Sequence, residues 1–198
     1  MAMLIPTVIE KSTKGERAYD IYSRLLEDRI IFVGNQVTVD VANTIIAQLL
    51  YLERVNPKED IKMYINCYGG EVAAGLSIID TMNYVKCDIS TIAVGAAASM
   101  AAVILASGAK GKRFALPNAE VMVHQPLVKN AGGQASDIEI TAKNILKIRD
   151  RLYTILSKRT KRTKAQIEKD SDRDNYLSAK EALEYGIIDR IIKTSAKR

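Results

Sequence analysis

The chain has 198 residues, is 47% hydrophobic and carries a formal net charge of +6. This size and apolar content exclude disorder over the whole chain and predict one folded domain spanning residues 1–198. The opening MAMLIPTVIEK has neither a basic start nor an apolar stretch of signal-peptide length, which favours a cytoplasmic protein. Cys67 and Cys87 have no metal-ligand spacing, so we expect both to stay reduced.

The positive charge is concentrated between Lys143 and Lys169, where the sequence includes SKRTKRTKAQ. That run has no stacking aromatic side chain and lies partly on an amphipathic helical pattern. A solvated helix face explains it better than a nucleic-acid groove, and we predict no nucleic-acid partner.

The first half of the chain alternates helix and strand patterns. RAYDIYSRLL predicts a short amphipathic helix, RIIFVG a strand, and VDVANTIIAQLLYLER a helix capped by Thr38. IKMYINCYGG predicts a strand that ends in two glycines, and EVAAGLSIIDTMNYV predicts the helix after it.

Residues 89–109, ISTIAVGAAASMAAVILASGA, contain no charged residue and are long enough to cross a membrane. Eight of these residues are Ala, however, so the segment is better read as a buried interior one, and no membrane association is predicted. A β-branched run ends at Val94, Gly95 interrupts the pattern, and Ala, Met and Leu follow. We therefore predict a strand, a tight turn and a helix that begins near Ser99.

The second half predicts two short strands around Pro117-Asn118 and then a long helix over residues 136–160, with a capping box formed by Ser136 and Glu139. The apolar stripe of this helix is long for one small core, which predicts contact with another subunit. A last helix, capped by Ser178 and Glu181, ends at Gly186 before the strand IIDRII. Such alternation indicates an α/β fold with a largely parallel sheet.

One histidine, His124, ends the predicted strand in AEVMVHQPL. A single histidine in an apolar strand is more often a hydrogen-bonded core residue than a catalyst. Here, however, Ser99 and His124 both follow strands at the edge of the sheet where α/β proteins place functional groups. Because a serine hydroxyl needs a base to become nucleophilic, the pair predicts nucleophilic catalysis.

A carboxylate would have to orient this imidazole, and spacing alone leaves Asp170, Asp172, Asp174 and Asp189 as candidates. An oxyanion would also need backbone donors. Gly69-Gly70 can bring amides close to a ligand, although the pair also fits a plain strand-to-helix turn. The Met100 amide, at a predicted helix N-terminus, is a second candidate donor.

Three separated segments resemble the proteolytic subunit of the Clp protease, the ClpP family of serine peptidases. They are GAAASMAA around Ser99, VMVHQPL around His124 and RDNYLSAKEALEYGIID from Arg173 onward. LIPTVIEKSTKGERAYDIYSRLLEDRIIF resembles the N-terminal segment of the same family. The resemblance covers essentially the whole chain in the expected order.

The resemblance implies a triad of Ser99 as nucleophile, His124 as general base and Asp174 as orienting acid, with oxyanion donors at the Gly70 and Met100 amides. It implies a crotonase-like α/β fold of repeated strand-helix units in two face-to-face heptameric rings. Residues 1–17 would form an N-terminal axial segment, and residues 134–160 a handle region with its protruding helix.

Further contacts follow from the same resemblance. Gly132, Gly133 and Gln134, within the glycine-rich strand GGQAS, would bind substrate backbone by strand addition. Tyr64, Tyr84 and Phe114 would dock an AAA+ unfoldase of the ClpX, ClpA or ClpC type, and Asp172 and Arg173 would pair between rings. No metal or cofactor is implied.

The chain departs from the family pattern at three places. NCYGG stands where Asn-Ser-Pro-Gly-Gly is usual, so Cys67 and Tyr68 replace Ser and Pro. QPLVKNAGGQ has Val128 and Lys129 where glycines are common and is one residue longer, and Lys62 occupies an often aromatic position.

Three functions are therefore weighed. The first is the proteolytic subunit of an ATP-dependent Clp protease, a serine endopeptidase that cuts unfolded proteins to short peptides inside a two-ring chamber. The second is a structural or regulatory subunit, active only in a heteromeric complex with a second ClpP. The third is a crotonase-type acyl-CoA enzyme on the same fold, which would leave Ser99 and His124 unexplained.

Overall fold

The computed structural model describes residues 4–12, 15–128 and 132–192. Within those residues the strands are β1 (Thr7–Ser12), β2 (Gly15–Asp20), β3 (Ile30–Val33), β4 (Ile61–Cys67), β5 (Ile89–Ala98), β6 (Arg113–Ala115), β7 (Glu120–Val123), β8 (Asn175–Ser178) and β9 (Arg190–Ile191). The helices are α1 (Ile21–Glu27), α2 (Val39–Val55), α3 (Val72–Tyr84), α4 (Met100–Ala106), α5 (Ala135–Arg159), α6 (Lys164–Asp170) and α7 (Ala179–Tyr185).

The main sheet is mostly parallel, which confirms the predicted α/β class. Its strands run in the order β3-β4-β5-β6-β9, every neighbouring pair being parallel. The buried apolar residues of sheet and helices form one contiguous core. In the described part of the chain, no helix has both the length and the apolar character needed to cross a membrane.

The bend in β5 is the feature that builds the site. The first half of the strand pairs with β6, and its last three residues pair with β7, also in parallel. Gly95 lies between the halves with φ 81°, and the Asn66 side chain accepts a hydrogen bond from Ala96 N at 3.1 Å. Because β5 changes partner there, the ends of β5 and β7 lie side by side.

Most helix boundaries follow the local signals. Thr38 caps α2, and the α7 capping box of Ser178 and Glu181 is present, with Gly186 left-handed at the end of that helix. The two strands predicted around Pro117-Asn118 are β6 and β7. Each of these predictions is confirmed.

The tight turn predicted after Val94 is wrong, because β5 continues through Gly95 to Ala98 by pairing with β7. Two predictions about helix starts are also wrong. RAYDIYSRLL is not helical throughout, because residues 17–20 belong to β2 of an antiparallel hairpin with β1, and Asp20 caps α1 by accepting from Tyr22 N and Ser23 N. The long helix is confirmed, but its capping box is formed by Gln134 and Asp137 instead of Ser136 and Glu139. In both cases a polar side chain next to the predicted boundary competes for the same free amides.

Candidate active site

Ser99 joins β5 to α4 in a strained conformation. Its backbone has φ 57° and ψ −123°, a region that costs a non-glycine residue about 1–3 kcal/mol. Ser99 N donates to Met122 O at 2.8 Å, which ties the turn to β7. Although the residue occupies the N-cap position, its hydroxyl makes no capping hydrogen bond, so Oγ is available to another partner.

That partner is His124, the residue that follows β7. Its Nε2 lies 2.8 Å from Ser99 Oγ. Ala98 is in register with Met122, so β5 and β7 end at the same level of the sheet. The serine and the imidazole expected at one edge of the sheet are therefore in direct contact.

Asp174 completes the row on the other side of the imidazole. Its Oδ1 lies 2.8 Å from His124 Nδ1. The antiparallel pairing of β7 with β8 puts Val123 opposite Asn175, which brings the residues just outside each strand together. Since an ionised carboxylate can only accept, the contact favours a proton on Nδ1 and leaves Nε2 free to accept from Ser99.

The other aspartates considered from spacing have different partners. Asp189 forms a largely buried ion pair with Arg113 at 2.5 Å. Burial alone would raise the pKa of Asp189, but hydrogen bonds from Arg113 and Gly111 together lower it. Asp172 accepts from the Gln125 side chain through its carbonyl at 2.9 Å. Asp170 is the last residue of α6. In the described structure the ring nitrogens of His124 contact Ser99 and Asp174, and none of these three other carboxylates.

The turn after β4 presses its backbone against Ser99. Gly69 has φ 94° and Gly70 φ 155°, values that favour glycine. A Cβ on Gly69 would lie 2.8 Å from Ser99 Cβ and 3.0 Å from Met100 N. Val37 clamps the turn, accepting from Glu71 N at 2.7 Å and donating to Gly69 O at 2.9 Å.

These contacts leave two amides beside the hydroxyl without an acceptor. Among the described residues, neither Gly70 N nor Met100 N donates to a protein group. Met100 N is also the first amide of α4, where the helix dipole favours negative charge. The arrangement can hold an oxyanion formed next to Ser99 Oγ.

A groove and an apolar pocket meet at Ser99. The groove is bordered by residues 34–36, the turn at 67–71 and Leu127. The pocket beneath is lined by apolar side chains of α3, α4, α5 and β7 together with Ser99 and His124: Val72, Met100, Val103, Val123, Leu152, Tyr153 and Leu156. An extended chain in the groove would pass Ser99 Oγ with these apolar side chains close by.

The segment expected to bind substrate backbone has a different local structure. Gln134 is the N-cap of α5, its side chain accepts from the Asp137 amide, and Ala135 is already helical. The predicted strand GGQAS is therefore wrong, because the capping box commits its second half to the helix. Gly132, Gly133 and Gln134 do not line the groove or the apolar pocket, and Lys129 lies outside the described residues.

Two of the three aromatic residues expected at a docking surface, Tyr64 and Phe114, lie on the main sheet. Tyr64 and Phe114 occupy one row, each in register with Ile92 between them. Tyr84, the last residue of α3, is 77% exposed.

Sequence analysis missed two neighbours of this row. Phe32 stacks on Tyr64 with ring centroids 5.5 Å apart, and the Arg190 guanidinium lies 5.4 Å above the Phe114 ring. Phe32 is in register with Tyr64 and Arg190 with Phe114, so a correct strand order would have found both.

The model of the Clp protease family matches residues 13–195, nearly the whole sequence. The chain belongs to the Clp protease family. Clp proteases are serine peptidases, and the contact between Ser99 and His124 is of the kind that such chemistry needs.

Proposed function

We propose that the chain is the proteolytic subunit of an ATP-dependent Clp protease and hydrolyses unfolded proteins to short peptides. The observation that carries the proposal is the pair of 2.8 Å contacts that join Ser99 to His124 and His124 to Asp174. Because the contacts exist within one chain, they favour an active peptidase over a regulatory subunit whose triad needs a partner.

The reaction begins when Ser99 Oγ attacks the carbonyl carbon of the scissile peptide bond and its proton passes to His124 Nε2. Asp174 accepts from Nδ1–H, holding the imidazole in the productive tautomer and stabilising the imidazolium that forms. The amides of Gly70 and Met100 donate to the oxyanion of the tetrahedral intermediate.

Collapse of that intermediate breaks the C–N bond, and the leaving amine takes the proton from His124. An ester then links the acyl group to Ser99 Oγ. His124 removes a proton from water, the resulting attack releases the new carboxyl terminus, and Ser99 regains its proton. The apolar side chains that border Ser99 would lie beside the cleaved bond, while Gly132, Gly133 and Gln134 are proposed backbone contacts farther along the substrate.

Assembly forms part of the same proposal. The chain would adopt the family's crotonase-like fold and stack in two heptameric rings, with α5 as the handle and residues 1–17 as the axial segment. In support, the first half of α5 carries exposed apolar side chains, with Ile138 44%, Ile140 65% and Leu146 51% exposed. Asp172 and Arg173, both exposed beside Asp174, would pair between the rings.

An AAA+ unfoldase of the ClpX, ClpA or ClpC type would dock on the face that carries Tyr64, Tyr84 and Phe114 and would deliver unfolded substrates by ATP hydrolysis. The row of Tyr64, Ile92 and Phe114 supports this, because it is an aromatic strip on one sheet face, widened by Phe32. We propose a cytoplasmic location for the complex.

The test is covalent labelling of the purified chain with a fluorophosphonate, read by intact mass. One adduct per chain is expected, and Ser99→Ala and His124→Ala should each abolish it, because the nucleophile needs its base. Ser107→Ala is the matched control, since Ser107 lies at the other end of α4 and donates to Val103 O. Labelling that survives Ser99→Ala would disprove the proposed nucleophile.

A further inference from the structure

The thiol of Cys67 lies buried between two segments that border the groove in front of Ser99. Cys67 is the last residue of β4 and is 2% exposed. On one side is the stretch 34–36 that follows β3, and on the other is the glycine turn. The chemical steps described above make no use of this side chain.

The thiol forms hydrogen bonds to both segments. Its Sγ accepts from Gly69 N at 3.2 Å and lies 3.0 Å from Asn35 O, to which it donates. Gly69 O lies farther away, at 3.5 Å. Burial raises the pKa of the Cys67 thiol, which preserves the proton needed for donation to Asn35.

The amide held by the thiol belongs to the turn that touches the nucleophile. Val37 N donates to the carbonyl of Gly69. In the described structure, Cys67 Sγ is the acceptor for the Gly69 N–H. The backbone of Gly69 is packed against Ser99 and the Met100 amide, and the Gly70 amide is the next along the chain. The Gly69 N–H belongs to the Tyr68–Gly69 peptide, and the Gly70 N–H belongs to the next peptide, whose carbonyl Val37 N holds. Because the two peptide planes share Gly69 Cα, loss of the thiol contact would shift that atom and with it the direction of the Gly70 N–H.

We propose that Cys67 is a positioning residue for acyl transfer, whose thiol links Asn35 to the glycine turn and keeps the Gly70 amide aimed at the oxyanion. The inference rests on the proposed function, because it assigns a role toward the intermediate of that reaction. It predicts that Cys67 affects the rate of the chemical step more than the binding of substrate.

The experiment compares Cys67→Val, which fills the space without hydrogen bonding, with Cys67→Ser, which retains a donor and an acceptor. Cys87→Val is the matched control. Cys87 is 4% exposed and also bonds through its thiol, to Arg29 Nη2 at 3.4 Å and Asn56 O at 3.5 Å, but it lies beyond the amino end of β5. Readouts are kcat and KM for a fluorogenic peptide, the Kd of a peptide boronic acid that forms a tetrahedral adduct with Ser99, and Tm.

For Cys67→Val, kcat should fall about 10-fold with KM within about 2-fold, and boronic acid affinity should fall in parallel with kcat. Cys67→Ser should stay within about 3-fold of the parent in kcat. Cys87→Val should lower Tm without changing kcat. If Cys67→Val does not assemble like the parent, Cys67→Ala, which adds no bulk, replaces it.

Two results would overturn the inference: an unchanged kcat and boronic acid affinity in Cys67→Val or its replacement, or a Cys67→Ser enzyme as slow as that variant. Failure of the proposed function looks different. The unmodified protein would then neither hydrolyse the peptide nor bind the boronic acid, and this inference would fall with it.

Discussion

Arg29 and Ser99 are the two non-glycine residues of the described chain with a positive φ, at 61° and 57°, and they lie at opposite ends of one sheet. Arg29 precedes β3 at the amino end of the parallel strands, and Ser99 follows β5 at the carboxyl end. Both positions therefore have a φ that non-glycine residues rarely adopt. They differ in whether the hydrogen-bonding groups at each position already have partners in the fold.

At the amino end, the Arg29 guanidinium is fully engaged. It donates to the carbonyls of Leu52, Asn56, Glu59 and Asp60 at 2.9–3.1 Å and to Cys87 Sγ, and its residue is 5% exposed. Such a cluster closes the loop after α2 on the start of the sheet. The hydrogen bonds of the guanidinium therefore stabilise the fold.

At the carboxyl end, hydrogen-bonding capacity is left over. Ser99 Oγ forms no cap, and the Gly70 and Met100 amides have no acceptor within the described residues. In this protein, therefore, a positive φ on a non-glycine residue does not by itself mark a catalytic residue. Two features at Ser99 distinguish the candidate site from the Arg29 cluster. Amide donors there have no acceptor, and the hydroxyl is polarised by a neighbouring imidazole.

Removal of the base should give the largest effect. His124→Ala should lower kcat/KM for peptide hydrolysis about 10⁴-fold, because Ser99 then has no proton acceptor. Tm should change far less than activity, since the hydrogen bonds of the imidazole go to Ser99 and the exposed Asp174 and not to backbone groups of the fold. An activity within 10% of the parent would contradict the proposed role of His124.

Removal of the Arg29 guanidinium should have the opposite effect, lowering stability more than activity. Arg29→Met should lower the free energy of unfolding by about 3 kcal/mol, because one buried and three partly buried carbonyls lose their donor. It should leave kcat per folded molecule within about 2-fold. Urea unfolding and active-site titration measure the two quantities. A loss of kcat as large as that of the catalytic variants would mean that the two ends are coupled.

Alanine variants of two glycines, Gly75 and Gly108, allow a direct comparison of the two ends of the sheet. A Cβ on Gly75 would lie 2.2 Å from Met100 Cγ, and one on Gly108 would lie 2.3 Å from Thr91 Oγ1. Each alanine variant should lose about 1–3 kcal/mol of stability through overpacking. Gly75→Ala should also lower kcat about 10-fold, because displaced Met100 carries a proposed oxyanion donor. Equal kcat values in Gly75→Ala and Gly108→Ala would contradict that account.

The smallest expected effect depends on pH. Arg113 hydrogen bonds help to hold the pKa of Asp189 below its usual range, so the folded state favours the ionised form. The resulting stabilisation is complete above the unfolded aspartate pKa of about 3.9 and is lost as pH falls through the lower folded value. Asp189→Asn should therefore cost about 1–2 kcal/mol at pH 7, with a smaller cost at pH 3.

Urea unfolding of the parent and Asp189→Asn proteins at pH 7, 4 and 3 measures this difference, with kcat at pH 7 as a second readout. We expect kcat to be unchanged, because Asp189 pairs with Arg113 and not with His124. A stability gap that is independent of pH would contradict the assigned ionisation.

Local signals in the sequence predicted much of the scaffold. Alternating patterns gave the α/β class, and the caps at Thr38 and Ser178 and the stop at Gly186 were correct because each depends on a few neighbouring residues. The hairpin of β1 and β2 was missed because its polar, exposed strands have no clear period. The capping box moved to Gln134 because two polar pairs compete at one boundary.

The sequence by itself determined that one serine and one histidine follow neighbouring strands, that glycines precede a helix, and that the motifs resemble one family. Spacing could not choose among four aspartates, because residues 50 positions apart meet only through the pairing of β7 with β8, and Asp174 was expected from the resemblance alone. Only the tertiary structure, through the bend of β5 at Gly95, brought Ser99 Oγ to 2.8 Å from the imidazole and put the Cys67 thiol under the glycine turn. Periodicity is a property of neighbours along the chain, whereas hydrogen-bond geometry depends on strand order and register, which no local pattern encodes.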